Sequence, residues 1–237
     1  MDLQPVEYQA SGRTFTGFLA DGSGGAKAPG VLVAHEGNGL TEHAKDRAVM
    51  LAELGHVAFA MDIYGEPAPM ELAKAQGLLG ALMADPDELR ARASSALGVL
   101  QGHPHVDRAR LAAIGFCFGG TTVLELAKTG ADLACVVGFH PGLTPARTAE
   151  PGAIKSRLLV CIGADDPIAP PKLRDAFAAE MTAAGADWQM LLLGGVGHSF
   201  TNPEIEALGY PGFRYDAVAD RRSWAAMRDL FAETIDA

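Results

Sequence analysis

Residues 114–120, with the sequence IGFCFGG, constrain the fold of this chain more than any other segment. The apolar run 110–114 predicts a buried strand, and residues 121–128 have the apolar face of a helix. Gly115 and Gly119 lie two residues either side of Cys117, which fits a sharp strand-to-helix turn where larger side chains would collide. Such a turn places the cysteine at a helix N-terminus, which stabilises a thiolate or an oxyanion. Cys117 is thus a candidate nucleophile; the alternative is a small buried hydrophobic residue, a common environment for a free cysteine.

Short apolar runs alternate with helical patterns along the rest of the chain. This alternation predicts an α/β fold in a single domain over residues 1–237, with a mostly parallel central sheet flanked by helices. Ligands of such sheets bind beyond the carboxyl ends of the strands. The predicted strands are 6–9, 14–18, 30–35, 57–61, 110–114, 133–139, 157–163 and 188–193, and the predicted helices are 41–54, 85–100, 121–128, 171–184 and 216–235.

Residues 64–84 are less regular than the rest. Pro67, Pro69, Gly77 and Gly80 interrupt a helical pattern in this segment. Irregular segments that follow a strand often cover a binding site, so we predict a flexible cover here.

Four polar residues each come directly after a predicted strand: Glu36, Cys117, Asp166 and His198. The chain order nucleophile, acid, histidine is that of a hydrolytic triad on a parallel sheet. In that arrangement His198 takes the thiol proton, and Asp166 fixes the histidine tautomer. Asp165 is an alternative to Asp166, and either could be a simple turn former before Pro167.

The same arrangement predicts an oxyanion hole. Its donors would be the backbone N–H of Phe118, which follows the nucleophile, and that of Gly37, in the turn after an earlier strand. Glu36 begins this turn, and we expect its side chain to point into the site.

Composition excludes several classes of partner. The net charge of −10 argues against nucleic acid and acidic membranes, and no run is long enough to span a bilayer. Three cysteines without paired spacing and an N-terminus unlike a signal peptide predict a reducing, cytoplasmic location.

No cofactor or metal site is predicted. His103 and His105, with Asp107 nearby, are better interpreted as a solvated loop than as metal ligands. His198 is the histidine assigned to the site, and we interpret the other six as ordinary loop residues.

Four motifs together resemble the dienelactone hydrolase family over nearly the whole chain: His35-Glu36-Gly37, the Cys117 turn, the Gly163–Pro167 segment and Gly197-His198-Ser199-Phe200. The resemblance implies an α/β-hydrolase fold with a triad of Cys117, Asp166 and His198. It also implies that Glu36 lies beside the resting thiol and helps to activate it when substrate binds. Known members open an unsaturated lactone, carboxymethylenebutenolide, through an acyl-thioester.

One departure from the family pattern concerns the substrate. The founding enzymes hold the substrate carboxylate with two arginines, but no arginine follows His198 closely here, and residues 64–85 offer Lys74 alone as a cation. A lysine does not reproduce the planar fork of an arginine. We therefore expect neutral substrates to be preferred.

The sequence thus predicts a hydrolase of a lactone or small carboxylic ester that acts through an acyl-Cys117 intermediate without a cofactor. It would be a monomer or small homo-oligomer whose partner is its small-molecule substrate. The alternatives are a general carboxylesterase or thioesterase, a catalytically silent binding protein and a thiol redox sensor. In the resting enzyme we expect Cys117 to be a thiol hydrogen-bonded to Glu36, because a carboxylate disfavours a neighbouring thiolate.

Overall fold

A computed structural model describes residues 2–236. Eight strands form one sheet in the order β1-β2-β4-β3-β5-β6-β7-β8. Strands β3 to β8 pair in parallel, and the β1–β2 hairpin adds antiparallel strands at one side. The strands are β1 (Gln4–Ala10), β2 (Arg13–Asp21), β3 (Ala28–Ala34), β4 (Val57–Met61), β5 (Val106–Phe116), β6 (Cys135–Phe139), β7 (Arg157–Gly163) and β8 (Trp188–Leu193).

Helices cover both faces of the sheet. Helices α1 and α6 pack on one face through Leu51 and Phe231, and α3, α4 and α5 pack on the other through side chains such as Leu89, Val123 and Phe177. Strands that are buried on both faces read as continuous apolar runs, which is why β3, β4 and β6 are identifiable from sequence. The helices are α1 (Glu42–Glu53), α2 (Leu72–Ala84), α3 (Pro86–Gly102), α4 (Phe118–Ala127), α5 (Pro171–Ala183) and α6 (Ala217–Thr234).

The predicted fold class is confirmed, and α3 starts at 86, close to the predicted position, with an aspartate cap. Asp85 accepts a hydrogen bond from the Glu88 N–H, and Pro86 opens α3. No helix within residues 2–236 is long and apolar enough to cross a membrane.

Residues 64–71 are irregular, as predicted for the segment 64–84, but the prediction was wrong for the rest of it. Thirteen of these residues form the regular helix α2, which contains both Gly77 and Gly80. Helix interiors tolerate glycine at a modest cost, so these two residues weaken the helix without ending it. A short 3-10 helix, Ile205–Leu208, was not predicted.

Several strands extend beyond their predicted limits. β5 begins at Val106 rather than at 110 and continues to Phe116, so the strand leads directly into Cys117. Helix α4 begins at Phe118, immediately after the cysteine. The turn is therefore as tight as the glycine spacing suggested.

Candidate active site

Cys117 occupies the turn between β5 and α4 with a strained backbone, φ +51°. A side chain on Gly115 would collide with the Gly119 carbonyl, and one on Gly119 would collide with the Ala34 carbonyl at the end of β3. The glycines are required because backbone approaches backbone at this crossing. The turn leaves Cys117 half-buried, with its side chain lining a cavity.

His140 supports this turn through hydrogen bonds. The Cys117 N–H points at both the Phe139 carbonyl (3.0 Å) and Nδ1 of His140 (3.1 Å). Nδ1 of His140 therefore accepts, and its Nε2–H donates to Oγ1 of Thr201 at 2.8 Å. Complete burial, with the neighbouring His198, holds the pKa of His140 well below its usual value, so the ring stays neutral.

His198 pairs with Asp166 as the chain order suggested. Nδ1 of His198 donates to Oδ2 of Asp166 at 2.7 Å, and both side chains are fully buried. The other carboxylate oxygen of Asp166 accepts from the Ile168 and Ala169 N–H groups. Asp165, the alternative acid, is exposed and is not paired with His198.

Nε2 of His198 is directed away from Asp166 and has no hydrogen-bond partner among residues 2–236. Burial alone lowers the pKa of His198, but the Cys117 thiolate and the Asp166 carboxylate outweigh burial and raise the pKa to about 10. His198 is therefore held in its protonated, imidazolium form at neutral pH.

Glu36 is buried beside this pair but is not hydrogen-bonded to the thiol. Oε2 of Glu36 accepts from the amide of Asn202, and Oε1 has no hydrogen-bond partner within the described chain. The expected resting hydrogen bond between Cys117 and Glu36 is thus absent. The reason is that Asn202, four residues after His198, turns the carboxylate toward itself.

The loop that carries Asn202 is fixed by two side chains of α1. Nη2 of Arg47 donates to the Thr201 carbonyl at 2.7 Å and also bonds Asp220 of α6 at 2.9 Å. His43 donates from Nε2 to the same carbonyl, and burial lowers its pKa, so it remains a neutral donor. Helices α1 and α6 thereby set the position of the loop after His198.

Of the six histidines interpreted as loop residues, one was wrongly placed, because His43 lies in helix α1, and three lie in loops and yet are buried. The four are buried, each with a hydrogen-bond partner: His35, His43, His56 and His140. A histidine between apolar residues can be a satisfied core residue, and its partners come from distant segments that the local sequence does not reveal.

The two predicted oxyanion donors come from different segments, Phe118 directly after Cys117 and Gly37 in the turn after β3. Phe118 is the first residue of α4, so its N–H has no acceptor within the helix. Gly37 lines the cavity next to Glu36. An oxygen placed between these two backbone groups would sit at the positive end of α4.

A cavity of about 440 Å³ leads to Cys117 and His198. Helix α2 and the preceding segment form one wall, the 3-10 helix and the loop after it form another, and Ile168 completes the lining. The walls of the cavity are formed mainly by apolar side chains: Met70, Leu72, Ala75, Leu79, Ile168, Ile205, Leu208, Tyr210 and Phe213. No arginine or lysine of the described chain lines it, and Lys74 instead pairs with Glu66 at 2.7 Å.

The strand order, the helices on both faces and the cysteine turn together define an α/β-hydrolase fold. The model of the dienelactone hydrolase family matches residues 15–235. The chain therefore belongs to the dienelactone hydrolase family, and it is a hydrolase that acts on ester or lactone bonds.

Two solved structures are similar over almost the full length. A dienelactone hydrolase-like promiscuous phosphotriesterase from metagenomic libraries is 42% identical, with a TM-score of 0.93 over 98% of both chains. A protein described as m3DLH is also 42% identical, with a TM-score of 0.94 over 99% of this chain and 98% of its own. A Bradyrhizobium protein named "Probable 2-oxo-3-(5-oxofuran-2-ylidene)propanoate lactonase" is 27% identical, over 82% of each chain.

Proposed function

We propose that the protein hydrolyses neutral lactones or small carboxylic esters through a covalent thioester on Cys117. The observation that carries this proposal is the buried His198–Asp166 pair, whose free Nε2 lies at the cavity that Cys117 also lines. A nucleophile, a base and an acid that orients the base are the parts that acyl transfer needs.

In the first step the Cys117 thiolate attacks the carbonyl carbon, and a carbon–sulfur bond forms. The carbonyl oxygen becomes an oxyanion, which the N–H groups of Phe118 and Gly37 would stabilise. The carbon–oxygen bond then breaks, and the His198 imidazolium gives its proton to the departing alkoxide. In a lactone this alkoxide remains attached to the acyl group.

In the second step water replaces the sulfur. Neutral His198 takes a proton from water as the oxygen attacks the thioester carbon, and the carbon–sulfur bond breaks to return the Cys117 thiolate. Asp166 stabilises the imidazolium in both steps and keeps Nδ1 protonated. The products are a carboxylic acid and a hydroxyl group, which balances the water consumed.

The cavity supports a neutral, apolar substrate. No lysine or arginine of the described chain lines the cavity to pair with a substrate carboxylate. The buried Glu36 carboxylate adds a negative charge near the nucleophile. Placing an anion in such a cavity leaves its charge unpaired and costs several kcal/mol, on the order of the penalty for a buried ion. The cavity volume, about 440 Å³, matches small ligands.

The test is turnover of a chromogenic ester by Cys117→Ala, with Cys135→Ala as the matched control. Cys135 is the first residue of β6 and is fully buried, so its substitution tests for general damage to the fold. We expect a folded Cys117→Ala protein that has lost roughly 10⁴-fold or more in turnover, which is the range found on removing a triad member. Near-normal turnover in Cys117→Ala would contradict the proposed mechanism.

A second candidate substrate class is neutral phosphotriesters. Two observations favour it: the relative with 42% identity is described as a promiscuous phosphotriesterase, and the cavity here has no cationic lining. The thiolate would form a phosphorus–sulfur bond as the phosphorus–aryl oxygen bond breaks, and His198 would protonate the departing aryl oxide. Water would then break the phosphorus–sulfur bond and release a dialkyl phosphate. Release of nitrophenol from a dialkyl nitrophenyl phosphate, abolished in Cys117→Ala, would support this activity; no release above the buffer rate would exclude it.

A further inference from the structure

Three side chains with metal-ligand chemistry meet at the sheet edge opposite Cys117. Asp21 is the last residue of β2, His103 follows α3, and His105 directly precedes β5. The two ends of β5 thus place His105 and Cys117 at opposite edges of the sheet. The ligand atoms of Asp21, His103 and His105 lie within 4.8 Å of one another.

Hydrogen bonds already hold these groups together. Nδ1 of His105 bonds Oδ2 of Asp21 at 2.7 Å, and the Ser23 N–H holds the other oxygen of Asp21 at 2.9 Å. The His105 N–H approaches Nδ1 of His103 at 3.3 Å, and the His105 carbonyl accepts from the Ala28 N–H. The three ligands are therefore held by hydrogen bonds between two segments, the end of β2 and the connection from α3 to β5.

We propose that Asp21, His103 and His105 form a binding site for a divalent transition-metal ion of the Zn²⁺ or Co²⁺ type. Two imidazoles and one carboxylate suit these ions, whereas Mg²⁺ and Ca²⁺ prefer all-oxygen sites. Metal–ligand bonds of about 2.0–2.2 Å require the three ligand atoms to move slightly closer together. The side chains of Asp21 and His105 are 25% and 36% exposed, so they have room for this rotation, and water can fill the open coordination positions.

The surroundings determine the net charge of the site. Lys27 lies nearby, with its Nζ tethered to the Val106 carbonyl at 3.1 Å, and its charge opposes a cation. The negative charge of the Asp21 carboxylate offsets the positive charge of Lys27. Asp107, which the sequence places next to the histidine pair, is not available, because it bonds Arg110 and the Ala109 N–H.

A bound ion would join the end of β2 to the start of β5, two segments that are far apart in the chain. Because the unfolded chain does not bring these ligands together, binding would stabilise the folded state. This role is independent of the proposed hydrolysis at the opposite edge.

The experiment is calorimetric titration of Zn²⁺ into the full chain carrying Cys117→Ala, so that the active-site thiol does not bind the metal. Asp21→Asn, His105→Ala and the control Asp107→Asn are made in the same background. We expect one ion per chain in the parent and in Asp107→Asn, at least tenfold weaker binding in the other two, and no detectable Mg²⁺ binding. At a Zn²⁺ concentration 100 times its dissociation constant, the unfolding equilibrium constant should fall about 100-fold.

Two results would overturn the proposal. One is the absence of a saturable 1:1 Zn²⁺ isotherm in the parent, and the other is equal affinity in the parent and in both ligand variants. Should His105→Ala be unfolded, Asp21→Asn decides the question, because it keeps nearly the same side-chain shape and removes only the charged ligand. Visible absorption of bound Co²⁺, lost in Asp21→Asn and kept in Asp107→Asn, provides a second readout.

Discussion

At the scale of single residues, the charge of His198 depends on its neighbour. Burial opposes the imidazolium, and Cys117 is the largest of the groups that favour it. The raised pKa, about 10, keeps His198 protonated through neutral pH as long as the thiolate is present. His198 loses its proton, and with it the ability to protonate a leaving group, as the pH rises through that value.

We therefore predict that Cys117→Ala lowers the pKa of His198, because burial remains while the largest favourable charge disappears. NMR titration of the His198 ring measures this pKa. The control Cys135→Ala should leave the pKa of His198 unchanged from the parent. A His198 pKa that stays near 10 in Cys117→Ala would mean that Asp166 alone sets it.

The charge of Glu36 should affect the reactivity of Cys117. Its carboxylate is buried near a nucleophile that reacts as a thiolate, and like charges disfavour each other. Glu36→Gln should therefore speed alkylation of Cys117 by iodoacetamide and alter kcat. Asp165→Asn, which removes an exposed carboxylate outside the triad, is the control. If Glu36→Gln changes neither the alkylation rate nor its pH profile, Glu36 only shapes the turn that carries Gly37.

The residues that could be recognised from sequence are those whose position follows from a strand end. Asp166 and His198 were identified this way, and the structure brings them together. His140 and Asn202 were missed, because their partners lie in other segments: Cys117 for His140 and Glu36 for Asn202. Contacts of this kind depend on tertiary packing, which local periodicity does not encode.

At the scale of elements, glycines have opposite roles in two helices. At the end of β5 and the start of α4, Gly115 and Gly119 allow backbone contact that any side chain would prevent. In α2, a Cβ added to Gly77 or Gly80 meets nothing within 4 Å. The sequence pattern does not separate these roles, and for that reason α2 was expected to be irregular.

We predict that Gly77→Ala and Gly80→Ala each stabilise the protein by about 0.5–1 kcal/mol, because alanine restricts the unfolded chain and favours helix. Gly119→Ala should abolish folding or activity through its collision with the Ala34 carbonyl. Urea denaturation measures all three. A loss of stability in both α2 variants would show that these positions contact something beyond the helix itself.

At the scale of the whole molecule, charge and cavity favour the same substrates. The chain has a net charge of −10, and the cavity lining of the described chain has no lysine or arginine. Long-range repulsion is screened beyond roughly 8–10 Å at physiological salt, so the missing local cation is the stronger effect.

Neutral lactones and aryl esters should accordingly give a higher kcat/KM than matched substrates carrying a carboxylate. The comparison is made at low and at moderate salt, because only the long-range part of the effect should weaken with salt. Lys74→Ala serves as the control for a hidden clamp. A preference for the anionic series that disappears in Lys74→Ala would mean that this lysine leaves Glu66 to bind substrate.

The proposed mechanism requires Cys117 to carry the acyl group during turnover. Rapid acid quench of the enzyme with a slowly hydrolysed neutral ester, followed by intact-mass and peptide mass spectrometry, measures this directly. We expect a transient mass increase equal to one acyl group, located on Cys117 and absent in Cys117→Ala. Turnover with no acyl adduct at any time point, or an adduct on another residue, would contradict it.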